Sequence, residues 1–108
     1  MIADTPDGAR LRRLWHEHQA APFPAATTAD PRLQEVALFE SWLGSIVEAA
    51  LRRGGRLGAS HLRMVRIREA EGNQAMWALA GELGEPARSY VARLLAIEDV
   101  VMKLPADG

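Results

Sequence analysis

The chain has 108 residues, 48% apolar and 25% charged, with a net charge of −1. That suffices for one domain with a modest core, and so balanced a charge argues against a protein that coats nucleic acid. The absence of cysteine excludes disulfides, thiolate metal sites and cysteine nucleophiles.

The amino terminus, MIADTPDGARLRR, has no apolar stretch of signal-peptide length, and no run approaches the roughly 20 residues of a membrane span. The expectation is a cytoplasmic bacterial protein with no membrane partner. The basic residues are almost all arginine, Lys103 being the one lysine, a skew that fits a GC-rich genome better than a mechanism.

Thr5-Pro6-Asp7 is a helix start: Thr5 caps, Pro6 suits the first helical position and Asp7 favours the positive end. The spacing predicts a helix over about 6–20 with Leu11, Leu14, Trp15 and His18 on one face. Pro22 and Pro24 stop it, and APFPAATTA reads as an extended linker that delivers Phe23 to the core. Asp30-Pro31 opens a second helix over about 31–53, with Leu33, Val36, Phe39, Leu43, Ile46, Val47, Ala50 and Leu51 on its apolar face. Gly54-Gly55 breaks it, and the short GGRLG segment forces an antiparallel hairpin.

A third helix, over about 59–83, is capped near Gly58 or Ser60 and carries Leu62, Val65, Met76, Leu79, Ala80 and Leu83. Gly84 followed by Glu85-Pro86 makes a tight turn into a fourth, over about 86–104, with Tyr90, Val91, Leu94, Ile97, Val101 and Leu104 inward and a fraying LPADG end. The expected architecture is all-α: a single domain of four helices, mostly antiparallel, with an extended Pro-containing linker between the first two.

Glu40 sits inside EVALFESWLGSIV. At about 100° per residue it points with the core stripe, within about 20° of Leu33, Val47 and Leu51. The same count places Glu69 among Leu62, Val65, Met76 and Ala80, flanked by Arg66 and Asn73, and sets Glu98 beside Val91, Leu94 and Val101. Folding the chain at its two tight turns brings Glu40, Glu69 and Glu98 to one height. Arg66 is then the nearest counter-charge, and His18 of the first helix is a further candidate, although the long linker leaves that helix's height open. Glutamates on such a stripe either sit at its edge and reach water through their methylenes or form a structural ion pair, the alternative being a hard-metal or small-ligand site. No glutamate has a histidine three residues on, so the di-iron bundle motif is missing. The Glu-Glu-x-x-Glu … Glu-x-x-Asp pattern of all-α nucleotide pyrophosphohydrolases is not met either, since Glu35 and Glu40 are five apart and Glu98-Asp99 adjacent. No metal ligand set and no cofactor are assigned.

His16-Glu17-His18 is not a metal motif on a helix, where residues two apart point in nearly opposite directions. His61, near a helix start, reads as solvated. Nucleophilic catalysis has no candidate, since the chain has no cysteine and shows no recognisable nucleophile–base arrangement, and no catalytic residue is assigned. The cluster Arg52, Arg53, Arg56, Arg63, Arg66 and Arg68 has no interleaved aromatics and reads as a solvated face.

Trp42-Leu43-Gly44 has the form of the W-x-G motif of small secreted proteins, which place it in a hairpin turn; here the helical pattern runs unbroken through it. LRRLWHEHQAAPFPA, followed by RRGGRL, resembles a group of small uncharacterised bacterial proteins of about this length. They share a Trp-x-Glu-His-x-Ala-Ala-Pro-Phe-Pro-like segment and an acidic residue near Glu40. The likeness rests on Leu11 to Ala25 and implies a shared fold, with no activity to transfer.

The second helix carries a wide apolar arc, because Leu38, Phe39 and Trp42 extend its core stripe round more than half of the circumference. Surplus apolar surface on so thin a bundle marks an interface. The leading expectation is therefore a non-catalytic protein–protein interaction module that forms a homo-oligomer, or binds another protein, through Leu38, Phe39 and Trp42.

Overall fold

Thr5 has an extended backbone, its side chain accepts a hydrogen bond from the Gly8 amide at 3.0 Å, and Pro6 fills the first helical position, where a missing amide hydrogen costs nothing. This opens α1 (Pro6–Ala20). A computed structural model of the chain describes residues 4–24 and 31–106. Within them follow α2 (Pro31–Arg52), α3 (Ala59–Leu83) and α4 (Ala87–Met102). The fold is all-α: among the described residues there is no strand, and an isolated bridge joins Leu57 to Ala106. Residues 25–30, with most of the expected linker and the expected Asp30 cap, lie outside that description, as do the surroundings of Gly72.

The end of α2 is a Schellman motif. The Gly55 amide donates to the Ala50 carbonyl at 2.9 Å and the Gly54 amide to Leu51 at 3.2 Å, with Gly54 at φ 68°, the left-handed conformation that favours glycine. Thr5 fastens α1 onto this turn. Its amide donates to the Gly54 carbonyl at 2.9 Å and its hydroxyl to the Gly55 carbonyl at 3.2 Å. Arg12, paired with Asp4 at 2.9 Å, also donates to the Leu51 carbonyl at 3.2 Å, placing a cation at the negative end of α2. The start of α1 is thereby fixed beside the end of α2, and the two helices run antiparallel.

At the other tight turn, Gly84 has φ 71° and its amide donates to the Ala80 carbonyl at 3.1 Å. The Glu85–Pro86 peptide bond is cis. α4 then buries Ala87, Tyr90, Val91, Leu94, Leu95, Ile97, Glu98, Val100 and Val101, an arc of about 220°. It contacts every other helix and is the centre of the core. α4 ends at Met102, and the segment after it is held rather than frayed: Leu104 is buried and the Leu57 amide donates to the Pro105 carbonyl at 2.9 Å. From α1 the core takes Leu11 and Trp15, from α2 the stripe Val36, Phe39, Leu43, Ile46, Val47 and Ala50, and from α3 Val65, Met76 and Ala80.

Gly8 and Gly55 meet backbone to backbone. A Cβ on Gly8 would lie 2.6 Å from the Gly55 Cα, whereas one on Gly81 of α3 meets nothing within 4 Å. The two glycines should therefore respond oppositely to alanine. Gly8→Ala should destabilise by about 1–3 kcal/mol, as overpacking does. Gly81→Ala should stabilise by about 0.5–1 kcal/mol through helix propensity. Urea denaturation of the two variants checks both signs.

Candidate functional site

The clamp at Thr5 decides what His18 meets. From Thr5 to His18 the chain climbs thirteen residues of α1, and from Gly54 back to Glu40 fourteen residues of α2, about 20 Å in each case. The two side chains therefore reach the same height. His18 Nε2 lies 2.9 Å from Glu40 Oε2. With a carboxylate as partner, Nε2 carries the proton and donates, which leaves the buried Nδ1 without a partner. Trp15 stacks on the imidazole at 5.6 Å between centroids, and Tyr90 of α4 tilts against it at 4.6 Å. The Trp15 ring passes over Gly44, where a Cβ would come within 3.0 Å of it. Glu40 is half-buried at the mouth of a 300 Å³ cleft lined also by Gln19 and Phe23. Phe23 does not reach the core as expected: it is 39% exposed and touches the cleft by an edge contact with Tyr90 at 5.2 Å, because α4 already fills the centre.

A second polar pair lies on α3 and α4. Asn73 Nδ2 donates to Glu98 Oε1 at 2.7 Å, and Glu98 is only 1% exposed. Its other oxygen, Oε2, and Asn73 Oδ1 are both buried without partners. Burial raises the Glu98 carboxyl above its ordinary value. The hydrogen bond from Asn73 and the charge of Arg68 oppose that rise, while Glu69 and Asp99 add to it.

The carboxylates expected in one layer thus separate. Glu40 pairs across α1–α2 and Glu98 across α3–α4, while Glu69 and Arg66 are exposed. Glu69 shares the face of Asn73, but a second carboxylate beside buried Glu98 is repelled by it, and its methylenes let the charge stay in water. The cation whose charge acts on Glu98 is Arg68, and not Arg66. Among the described residues no group of three or more His, Asp or Glu side chains is placed to hold a metal ion.

The third feature is a groove between α2 and α3, about 440 Å³, lined by Glu35, Leu38, Phe39, Trp42, Arg68, Ala75, Met76 and Leu79. A 360 Å³ depression continues from it past Trp42 and Arg68 to Met64, Ile67 and Glu71. Leu38 is 65% exposed and Trp42 is half-buried, but Phe39 is 4% exposed and belongs to the core. Its position therefore corrects its expected place on the outer surface: the arc of α2 is divided between core and groove, and Phe39 forms the groove's floor. The Arg68 guanidinium lies 4.3 Å above the Phe39 ring and 5.6 Å from that of Trp42, and its Nε is buried without a partner. The outward Met64, Ile67 and Trp77 escaped the sequence reading, the signal of Met64 and Ile67 being a second helical period on α3, and Arg68, expected on a solvated face, is half-buried.

Each polar pair yields a measurable expectation. Glu40→Ala leaves both His18 ring nitrogens unbonded and should cost about 1–3 kcal/mol. Glu40→Gln, whose amide oxygen still accepts, should cost clearly less in the same denaturation series. For Glu98 the sign runs the other way. Its raised folded value makes folding favour the proton, so its contribution is fully present below the ordinary value of 4.5. That contribution is lost as pH rises through the raised value. Glu98→Gln, which is neutral and replaces one carboxylate oxygen by a donor, should be more stable than wild type at pH 7 by about 1–3 kcal/mol. The advantage should shrink as pH falls towards the ordinary carboxyl range.

The chain matches no protein-family model, no curated protein and no solved structure.

Proposed function

We propose that this protein is a non-catalytic interaction module that self-associates through the outer face of α2 and α3, a single domain built as a four-helix, mostly antiparallel bundle. The observation that carries the proposal is the two-sided character of α3. Val65, Met76 and Ala80 are buried in the core. About 200° round the same helix, Met64, Ile67, Ala75 and Ala78 stand in water or at the groove. A helix needs one apolar stripe to join a fold; the second is not covered by another element among the described residues.

Single exposed apolar residues are ordinary. Here Leu38, Trp42, Met64 and Ile67 instead border one continuous depression, the arrangement that marks an interface. The occupant that fits is a second copy, because the face carries both signs of charge: Arg68 at its centre, Glu35 and Glu71 at its rims. A self-complementary face of this kind is what a two-fold dimer requires. Cytoplasmic residence belongs to the same proposal. A hard-metal, small-ligand or pyrophosphohydrolase-like site on Glu40, Glu69 and Glu98 has no comparable support, since those three side chains do not converge.

Light scattering at micromolar concentration should give a dimer for the wild-type chain. Leu38→Glu changes a side chain outside the core and should yield a monomer with unaltered helical circular dichroism. A wild-type chain that stays monomeric at several hundred micromolar overturns the proposal.

A further inference from the structure

The unpartnered stripe on α3 contains enough information to specify how two copies meet. Met64, Arg68, Glu71 and Ala75 follow one another at intervals of four, three and four residues. This is the a/d spacing of a coiled-coil seam. In an antiparallel pair of such helices, each a position faces a d position of the other helix. Centring the pair between positions 69 and 70 sets Arg68 opposite Glu71 of the second copy, and Met64 opposite Ala75 of the second copy. By symmetry both contacts occur twice. A large side chain then faces a small one in each outer layer, and a cation faces an anion in each inner layer.

We infer that the chain dimerises through antiparallel α3 helices in this register, with Arg68 and Glu71 forming two reciprocal ion pairs about the two-fold axis. The inference rests on the self-association proposed above and names its geometry. The state of Arg68 supports it independently. Its guanidinium rests on the rings of Phe39 and Trp42, and among the described residues it makes no hydrogen bond or ion pair, while Nε is buried. A guanidinium held against aromatic faces with a donor out of water calls for a carboxylate. Glu71 is exposed, lines the same depression and is equally unpaired among the described residues. The two lie one turn apart on α3 without pairing, and although the charge of Arg68 is felt by buried Glu98, a direct ion pair for each is open to the other on a second copy. A polar layer inside an apolar seam sets register and orientation, because any slip by a turn opposes Arg68 to Ala75 or Glu71 to Met64 and leaves charges unmatched.

Charge exchange tests this. Arg68→Glu alone opposes two carboxylates in each inner layer, and Glu71→Arg alone opposes two guanidinium groups. Each should weaken dimerisation at least tenfold in sedimentation equilibrium while the helical content stays unchanged. A one-to-one mixture of the two single variants restores opposite charges in both layers and should form a heterodimer. The chain carrying both substitutions should dimerise again. Because the chain has no cysteine, Met64→Cys with Ala75→Cys gives a second readout. The two sites lie about 16 Å apart along one helix, too far for an internal disulfide, so oxidation should produce a covalent dimer. If wild type dimerises but the single variants do so equally well, or the mixture fails to pair, this register is wrong and self-association through the face stands. A monomeric wild type overturns both.

Discussion

The attachment of Thr5 to the Gly54–Gly55 turn fixes the relation of α1 to everything else. α1 is joined to α2 by a connection long enough to let it dock at many heights, so chain connectivity does not place it. Two hydrogen bonds from Thr5, a third from Arg12 and the backbone contact of Gly8 with Gly55 do. The turn is usable for this because two successive glycines adopt positive φ, exposing carbonyls that a side-chain-bearing turn would cover. Once that end is fixed, helix rise carries the consequence to the other: Trp15 arrives over Gly44 and His18 arrives at Glu40. A local cap thus determines a pairing about 20 Å away.

α4 imposes the complementary constraint. A helix that buries more than half its circumference encloses whatever lies within that arc, and Glu98 lies there, whereas Arg88, Ser89, Arg93 and Asp99 keep to the exposed side. Asn73 provides one hydrogen bond and leaves an oxygen of each partner unsatisfied. Desolvation of a carboxyl outweighs one neutral donor, which is why the group favours its proton and why the pair is poor evidence for stability. Its physical effect is on register: Asn73 and Glu98 can meet only when α3 and α4 are folded about Gly84 as they are. His18–Glu40 does the same for α1 and α2. Each antiparallel contact at these two seams therefore carries one polar pair among apolar neighbours.

Much of this was legible in the residues, unevenly. The all-α class follows from apolar periodicity, and the ends of the helices follow from Thr5-Pro6, Gly54 and Gly84, whose chemistry is local. The inward tilt of Glu40 and Glu98 could be counted from helix geometry. Their partners could not all be found that way. Asn73–Glu98 spans a turn of fixed length, so its height was readable, but His18–Glu40 depends on a cap reaching across some fifty positions to a carbonyl, and no spacing encodes that. Glu69 shows the limit of counting faces: its angular position suits burial, yet the neighbouring carboxyl and its own length keep it in water. Phe39 shows the opposite, an arc so wide that periodicity does not say which edge is covered.

The division of α3 between two apolar faces has a further physical consequence. Inside the chain, each polar residue on a seam meets a partner from an adjacent helix, imperfectly in the case of Glu98. On the outer face the same ingredients recur, apolar side chains flanking one cation and one anion, but Arg68 and Glu71 do not pair with each other. Arg68 has only aromatic faces beneath it, an interaction of roughly 0.5–2 kcal/mol that holds the guanidinium in place without neutralising it. Phe39 and Trp42 thereby pre-order the charge: an arginine fixed on a platform loses less side-chain entropy on meeting a carboxylate than one free in solution. The core packing of Phe39 and the placing of Arg68 are then one arrangement, because the ring that closes the interior against water is also the surface on which the guanidinium stands.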